Sequence, residues 1–218
     1  MLLIATPKSA STSLMRTLAE RLRLPAYMGA EGVGRESIQA LKPSPGFQNL
    51  HAFHGSDFKE LSADVVRFMA GRGCVYKVHA APTPHNRRLL ADAPKVLLHR
   101  APREIVTAWR RAVLQGIHHR LRPFDGLQTE GEWLARAEAI GVIGRDGELE
   151  RFRDGWLGED VLEIRFRELV ADPDRTIREI ERHWGFESPA EPVILAREKY
   201  TRGEGGKKTR SAPRVGEY

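Results

Sequence analysis

The chain is nearly devoid of cysteine: Cys74 is the only one in 218 residues. An internal disulfide is therefore impossible, and with no CxxC partner a zinc–thiolate site or an internal redox couple is excluded as well. The reducing cytoplasm is the expected compartment. Long hydrophobic runs are also missing, and nothing approaches the roughly 18 apolar residues that a membrane span requires. The apolar start, Met1 to Ala5, has no basic leader and is interrupted by Pro7-Lys8, so no secretion signal is expected. Internal repeats are absent. What is present is 41% hydrophobic and 29% charged residues, the ordinary composition of a soluble domain long enough to bury its own core. Lys and Arg number 35 against 29 Asp and Glu, a net charge of +6, and the pI is about 9.7. Such a balance suits an anionic partner, whether nucleic acid, a membrane surface or a phosphorylated small molecule.

Hydrophobic patterning gives the organisation. Leu2 to Thr6 reads as a short buried strand, followed by a polar turn and a helix with Leu14, Leu18 and Leu22 on one face. Residues 25 to 57, rich in Gly and Pro, read as a long irregular stretch suited to an acceptor-side lid. A helix is expected from Phe58 to Ala70, a strand over Cys74 to Val78, a short helix from Arg87 to Asp92, a strand over Lys95 to His99 and a helix from Arg103 to Leu114. Further helices are expected at Glu130 to Ile140, Glu148 to Trp156 and Asp172 to Trp184, with a strand over Val161 to Phe166 between the last two. Strands alternating with helices imply an α/β fold: a single domain (1–218) with a central parallel sheet flanked by helices on both faces. Ligands then sit outside the carboxyl ends of the strands. Residues 201 to 218, with Arg202, Lys207, Lys208, Arg210 and Arg214, read as a basic flexible tail or a segment ordered by an anion.

Three segments carry chemistry. Pro7-Lys8-Ser9-Ala10-Ser11-Thr12-Ser13, between a strand and a helix, offers successive backbone N–H groups, four hydroxyls and one ammonium at the positive end of a helix, which is what a phosphate needs. The same residues would also serve as an ordinary helix cap. The loop is not of the Gly-x-x-x-x-Gly-Lys-Ser/Thr type, which occurs nowhere in the chain. Lys77-Val78-His79 ends a strand with a lysine and a histidine two apart, projecting the same way, and an imidazole there suits proton abstraction from a hydroxyl. Arg100-Ala101-Pro102-Arg103 places an arginine at a strand end beside a helix start, a second anion site.

In order and spacing, these segments resemble the sulfotransferases that use 3′-phosphoadenosine 5′-phosphosulfate, PAPS. The first loop is similar to that family's Pro-Lys-Ser-Gly-Thr-Thr segment, Lys77-Val78-His79 to its Lys-Thr-His strand end, and Arg100-Ala101-Pro102-Arg103-Glu104 to its Arg-x-Pro-Arg/Lys-Asp/Glu helix start. Phe166-Arg167-Glu168-Leu169 resembles its aromatic-Glu-Asp-Leu segment, and Arg202-Gly203 its basic, glycine-containing clamp. The resemblance implies a P-loop-like phosphate site after the first strand and transfer of a sulfuryl group from PAPS to a hydroxyl or amine, with no metal. His79 would be the general base, Lys8 would stabilise the leaving group and Lys77 would hold a sulfuryl oxygen. Lys8, Ser9, Ala10, Ser11, Thr12 and Ser13 would bind the 5′-phosphate side of the donor, and Arg100, Thr107, Ala108, Phe166, Arg202 and Gly203 the remainder of the nucleotide.

The chain departs from the pattern at three places. Ala10 replaces the loop glycine, Ser13 stands where many members have an adenine-stacking aromatic, and Ala108 stands where a serine hydroxyl meets the 3′-phosphate, with Thr107 adjacent. The acceptor is expected to be a small molecule or carbohydrate, with no nucleic acid partner; sugar, phenol, lipid and peptide are all compatible, and oligomeric state is unreadable. Two alternatives are a nucleotide kinase-like phosphotransferase and a catalytically inactive nucleotide- or nucleic-acid-binding relative. Gly29, Gly32 and Gly34 are in the wrong order for a dinucleotide fingerprint, His51 and His54 read as lid or acceptor residues, and His118-His119 as a solvated helix end. Trp109, Trp133, Trp156 and Trp184 read as core.

Overall fold

Leu2, Leu3, Ile4 and Ala5 are all buried in sequence, a pattern that only a strand covered on both faces produces. A computed structural model of the protein describes residues 1–28, 42–54, 58–71, 73–118, 121–158, 160–195, 200–202 and 208–210. In it Leu2–Ala5 (β1) is the middle strand of a five-stranded, wholly parallel sheet completed by Ala26–Met28 (β2), Val75–Val78 (β3), Lys95–His99 (β4) and Val161–Arg165 (β5), in the order β2-β3-β1-β4-β5. Register is continuous across the centre: Ile4 lies opposite Val78 on one side and Leu97 on the other. The chain leaves β1 toward the β2 edge and returns across it to β4 and β5, so the carboxyl ends of β1, β3 and β4 surround a switch in strand order, where open α/β sheets bind ligands.

Alternation along the strands makes two cores. Leu3, Ala5, Val75, Val96 and Leu98 pack against helix α1 (Ser11–Leu22) and the late helices that follow α2 (Gln48–His54), α3 (Ala63–Gly71), α4 (Pro84–Leu89), α5 (Pro102–Leu114), α6 (Glu130–Ala139) and α7 (Glu148–Trp156), namely α8 (Phe166–Ala171) and α9 (Pro173–His183). On the other face Leu2, Ile4, Tyr76, Val78 and Leu97 meet α3, α5, α6 and α7, with Trp109, Phe152 and Trp156 fully buried. Helices thus cover both faces, as the alternation predicts, and the four tryptophans are core residues. No helix among the described residues is long and apolar enough to cross a membrane.

Buried polar groups tie the layers together. Lys95, 2% exposed, directs its ammonium at the carbonyls of Leu90, Ala91 and Ala93, each at 2.9 Å, and so closes the end of α4. Glu148, 3% exposed, accepts from the Asn49 and Leu50 backbone N–H groups and from Asn49 Nδ2, capping α2 from another helix. Arg21 is paired with buried Glu181 at 2.6 Å and also donates to Glu191 O.

Several elements differ from the sequence expectation. The 25 to 57 stretch is not irregular throughout: it contains β2, three residues paired with the β3 edge, and α2; Gly29, Gly32 and Gly34 lie outside the described residues. The helix expected from Phe58 starts at Ala63, because Phe58 has φ +58 and Lys59 forms a bridge with Pro43. The short helix expected at Arg87 is α4, started by a Thr83 cap and Pro84. β5 ends at Arg165, since Phe166 begins α8. Within the tail, Tyr200–Arg202 (β6) and Lys208–Arg210 (β7) pair antiparallel. Gly203, Lys207 and residues 211–218 lie outside the described residues, as does His119.

Candidate active site

Between β1 and α1 the chain turns without glycine. Lys8 and Ala10 both take left-handed backbone, φ +56 and φ +63, a conformation costing a residue with a Cβ about 1–2 kcal/mol. The turn is held from inside: Ser9, fully buried, donates its hydroxyl to Thr6 O at 2.7 Å, and Thr6 N donates to Leu98 O of β4 at 3.0 Å. Ala10 is the N-cap of α1 and has no side chain to satisfy the first-turn N–H groups, and that turn contains no acid. Alternating left-handed residues ahead of an uncapped helix start form an anion-binding concavity. Ser11 is buried, and Thr12 and Ser13 are half-buried at its rim.

One strand over, β3 ends at Val78 and His79 follows it. The imidazole is 6% exposed, and Nδ1 lies 2.5 Å from Ala5 O of β1. A carbonyl only accepts, so Nδ1 carries the proton and the ring lone pair is on Nε2. Burial, followed by the field of Lys77, pushes the His79 pKa down to about 3; the Ala5 bond opposes this and Lys8 adds to it. The ring is neutral at physiological pH. The expectation that Lys77 and His79 share one sheet face does not hold. Lys77 lies at the register position opposite Leu3, whereas the imidazole, past the strand end, stacks on Phe58 of the opposite core with centroids 5.6 Å apart. Residues 79–82 are fixed by α7: Trp156 Nε1 donates to Ala80 O at 2.9 Å, and a Cβ on Gly155 would lie 2.5 Å from Pro82, so only glycine admits this approach.

Arg100 completes the edge. Its backbone N–H donates to Thr6 Oγ1 at 3.1 Å and its Nη1 to Lys8 O at 3.0 Å, so the arginine and the β1 loop are one unit. Nε donates to Glu104 one helical turn on, and the guanidinium lies 4.2 Å over the Phe166 ring. Hydrogen bonds from Arg167, then from Arg100, hold the Glu104 carboxyl below its usual range.

The structure therefore brings together Lys8 through Ser13, His79, Arg100 and Phe166, while Lys77, at the register position of Leu3 in the other core, acts on His79 through its field. Thr107 is turned elsewhere, bonded to Arg103 O and Glu130, and Ala108 is half-buried on α5. Arg202 falls on β6, and Gly203 lies outside the described residues. Three residues of the site escaped the sequence reading: Thr6, Glu104 as the holder of Arg100, and Phe58. Glu104 was legible as an i, i+4 partner of Arg100; Phe58, 21 positions before His79, left no local signal. Among the described residues no group of three or more His, Cys, Asp or Glu side chains is placed to hold a metal.

No family model and no curated protein matches the chain. Solved structures do. A sulfotransferase from Alicyclobacillus acidocaldarius superposes with a TM-score of 0.52 at 16% identity, over 91% of this chain and 85% of that one. A retinol dehydratase in complex with androsterone and the inactive cofactor PAP gives 0.54 at 12% identity, over 88% of this chain and 61% of that one. A sugar kinase from Janibacter sp. HTCC2649 reaches 0.43 at 10% identity, over 85% of this chain and 93% of that one. At these identities the likeness is one of fold: a single α/β domain with a central parallel sheet flanked by helices.

Proposed function

We propose that the chain is a sulfotransferase that moves a sulfuryl group from PAPS to a hydroxyl or amine of a small-molecule or carbohydrate acceptor. The observation that carries this reading is the convergence, at the carboxyl ends of β1, β3 and β4, of a glycine-free anion loop, a neutral imidazole and an arginine bonded to that loop. The residues fit the donor. Backbone N–H groups of 9–13 and the Lys8 ammonium suit its 5′-phosphosulfate, and Arg100 suits its 3′-phosphate. Lys8 neutralises charge on the departing oxygen, Lys77 holds a sulfuryl oxygen, and Nε2 of His79 takes the acceptor proton as the new bond forms. The His79 pKa is low partly because two lysines act on it; an anionic donor seated on them offsets their field and makes the imidazole a stronger base when it is needed. The fold shared with a sulfotransferase and with a PAP complex supports the reading.

The test is calorimetric titration with 3′-phosphoadenosine 5′-phosphate, with its analogue lacking the 3′-phosphate, and with ATP plus magnesium. Micromolar or tighter binding lost with the 3′-phosphate is expected; a preference for ATP with magnesium would mark a phosphotransferase instead. Where an acceptor is turned over, His79→Asn lowers kcat about 10²–10⁴-fold with PAP binding retained.

A further inference from the structure

A bulky residue with φ near +60 is a backbone outlier, and the only one of the described residues that is aromatic is Phe58. Its strained backbone is held on both sides. Ser44 N donates to Phe58 O at 2.9 Å, the next residue bridges to Pro43, and Leu61 N donates to Asn86 Oδ1 at 2.8 Å. Asn86, completely buried, in turn donates Nδ2 to Ala81 O at 2.9 Å, two residues beyond His79. The Phe58 ring, 1% exposed, lies nearly parallel to the imidazole, at 18°, and is backed edge-on by Phe152 at 5.5 Å. The imidazole is held in its plane by the bond to Ala5 O and across one face by the Phe58 ring.

We propose that Phe58 is a positioning residue for His79: its strained backbone presses the phenyl ring onto the imidazole, so that the Nδ1–H stays on Ala5 O and Nε2 is held as the proton acceptor. This rests on the reading of His79 as the general base but is tested without it. The same ring covers one face of the imidazole, whose burial depresses the His79 pKa; the charged groups acting on the imidazole are Lys77 at the end of β3 and Lys8 in the β1 loop, both of which a substitution at 58 leaves in place. A leucine at 58 would keep an apolar side chain at the same backbone while removing the ring face.

The experiment is ¹⁵N–¹H NMR of the histidine rings in the apoprotein at neutral pH and through an acid titration, for the native chain, Phe58→Leu and Phe58→Tyr. In the native chain His79 is expected as a single Nδ1–H tautomer with carbon-bound ring protons shifted upfield by the facing phenyl. Phe58→Leu should mix the tautomers and raise the His79 pKa by at least about one unit, and Phe58→Tyr should restore both. A folded Phe58→Leu with an unchanged tautomer and titration overturns the proposal. Should that variant not fold, native ring protons without the upfield shift overturn it equally. Because no nucleotide is present, failure here is distinct from failure of PAP to bind, which would refute the assigned reaction and leave the Phe58–His79 contact untouched.

Discussion

Acid should destabilise this protein through His79 in a pH range where carboxylates are still ionised. The imidazole titrates near 6.5 when unfolded, and burial with the Lys77 and Lys8 fields takes it to about 3 in the fold. Between those values the unfolded chain binds a proton that the native chain does not, so stability is lost as pH falls below 6.5 and the loss is complete near pH 3. At pH 5.0 the unfolded chain is about 1.5 units below its pKa, and at about 1.36 kcal/mol per unit the loss from pH 7.5 is about 2 kcal/mol. The group is buried, so solvent screening does not reduce this figure, and it is a large share of the about 5–15 kcal/mol that holds a typical domain together. His79→Asn isolates the effect: its Nδ2 keeps a donor for Ala5 O and has nothing to titrate. Urea unfolding followed by fluorescence of the four buried tryptophans, at pH 7.5 and 5.0, should show the native chain losing about 2 kcal/mol more than the variant. Every other residue is common to the two proteins, so its contribution cancels. Equal losses would refute the assignment of a strongly depressed, neutral His79.

Lys95→Met should cost about 2–4 kcal/mol in the same assay, because it strands the Leu90, Ala91 and Ala93 carbonyls that one ammonium satisfies; a neutral result would mean that water replaces it. Glu148→Gln keeps the shape but weakens the cap on Asn49 and Leu50, so about 1–3 kcal/mol of stability and much of the protease resistance of residues 42–54 should be lost. Arg100→Lys removes the bond to Lys8 O and the stack on Phe166, and a PAP dissociation constant raised about 10–100-fold is expected by calorimetry. PAP itself should raise the His79 pKa, read by NMR; no movement on saturation would place the anion away from Lys8 and Lys77.

How far the sequence discloses this molecule depends on whether a feature is local. The buried runs Leu2 to Ala5 and Lys95 to His99 and the Glu148 to Trp156 helix are written in neighbouring residues, and the structure has them with almost the expected ends. β2 escaped because three residues are too few for a period; they become a strand only by pairing with β3. The loop, His79 and Arg100 could be singled out because each sits where a strand gives way to a polar segment. Their interlocking could not: Thr6 on Arg100, Arg100 on Lys8 and Phe58 on His79 join positions that only the folded sheet edge makes neighbours.

The left-handed residues at Lys8 and Ala10 bear on the thermodynamics of binding. Glycine at these positions would relieve the native turn but widen the conformational choices of the unfolded chain and of the unliganded loop, two effects of similar size and opposite sign for stability. What a Cβ adds is a narrower ensemble. With Ser9 locked to Thr6 O and Arg100 locked to Lys8 O, an anion binding there would meet a loop already shaped, with little ordering entropy left to be lost on association. Binding at this turn should therefore resemble closure on a rigid template, with a smaller entropic penalty than a glycine-rich loop incurs.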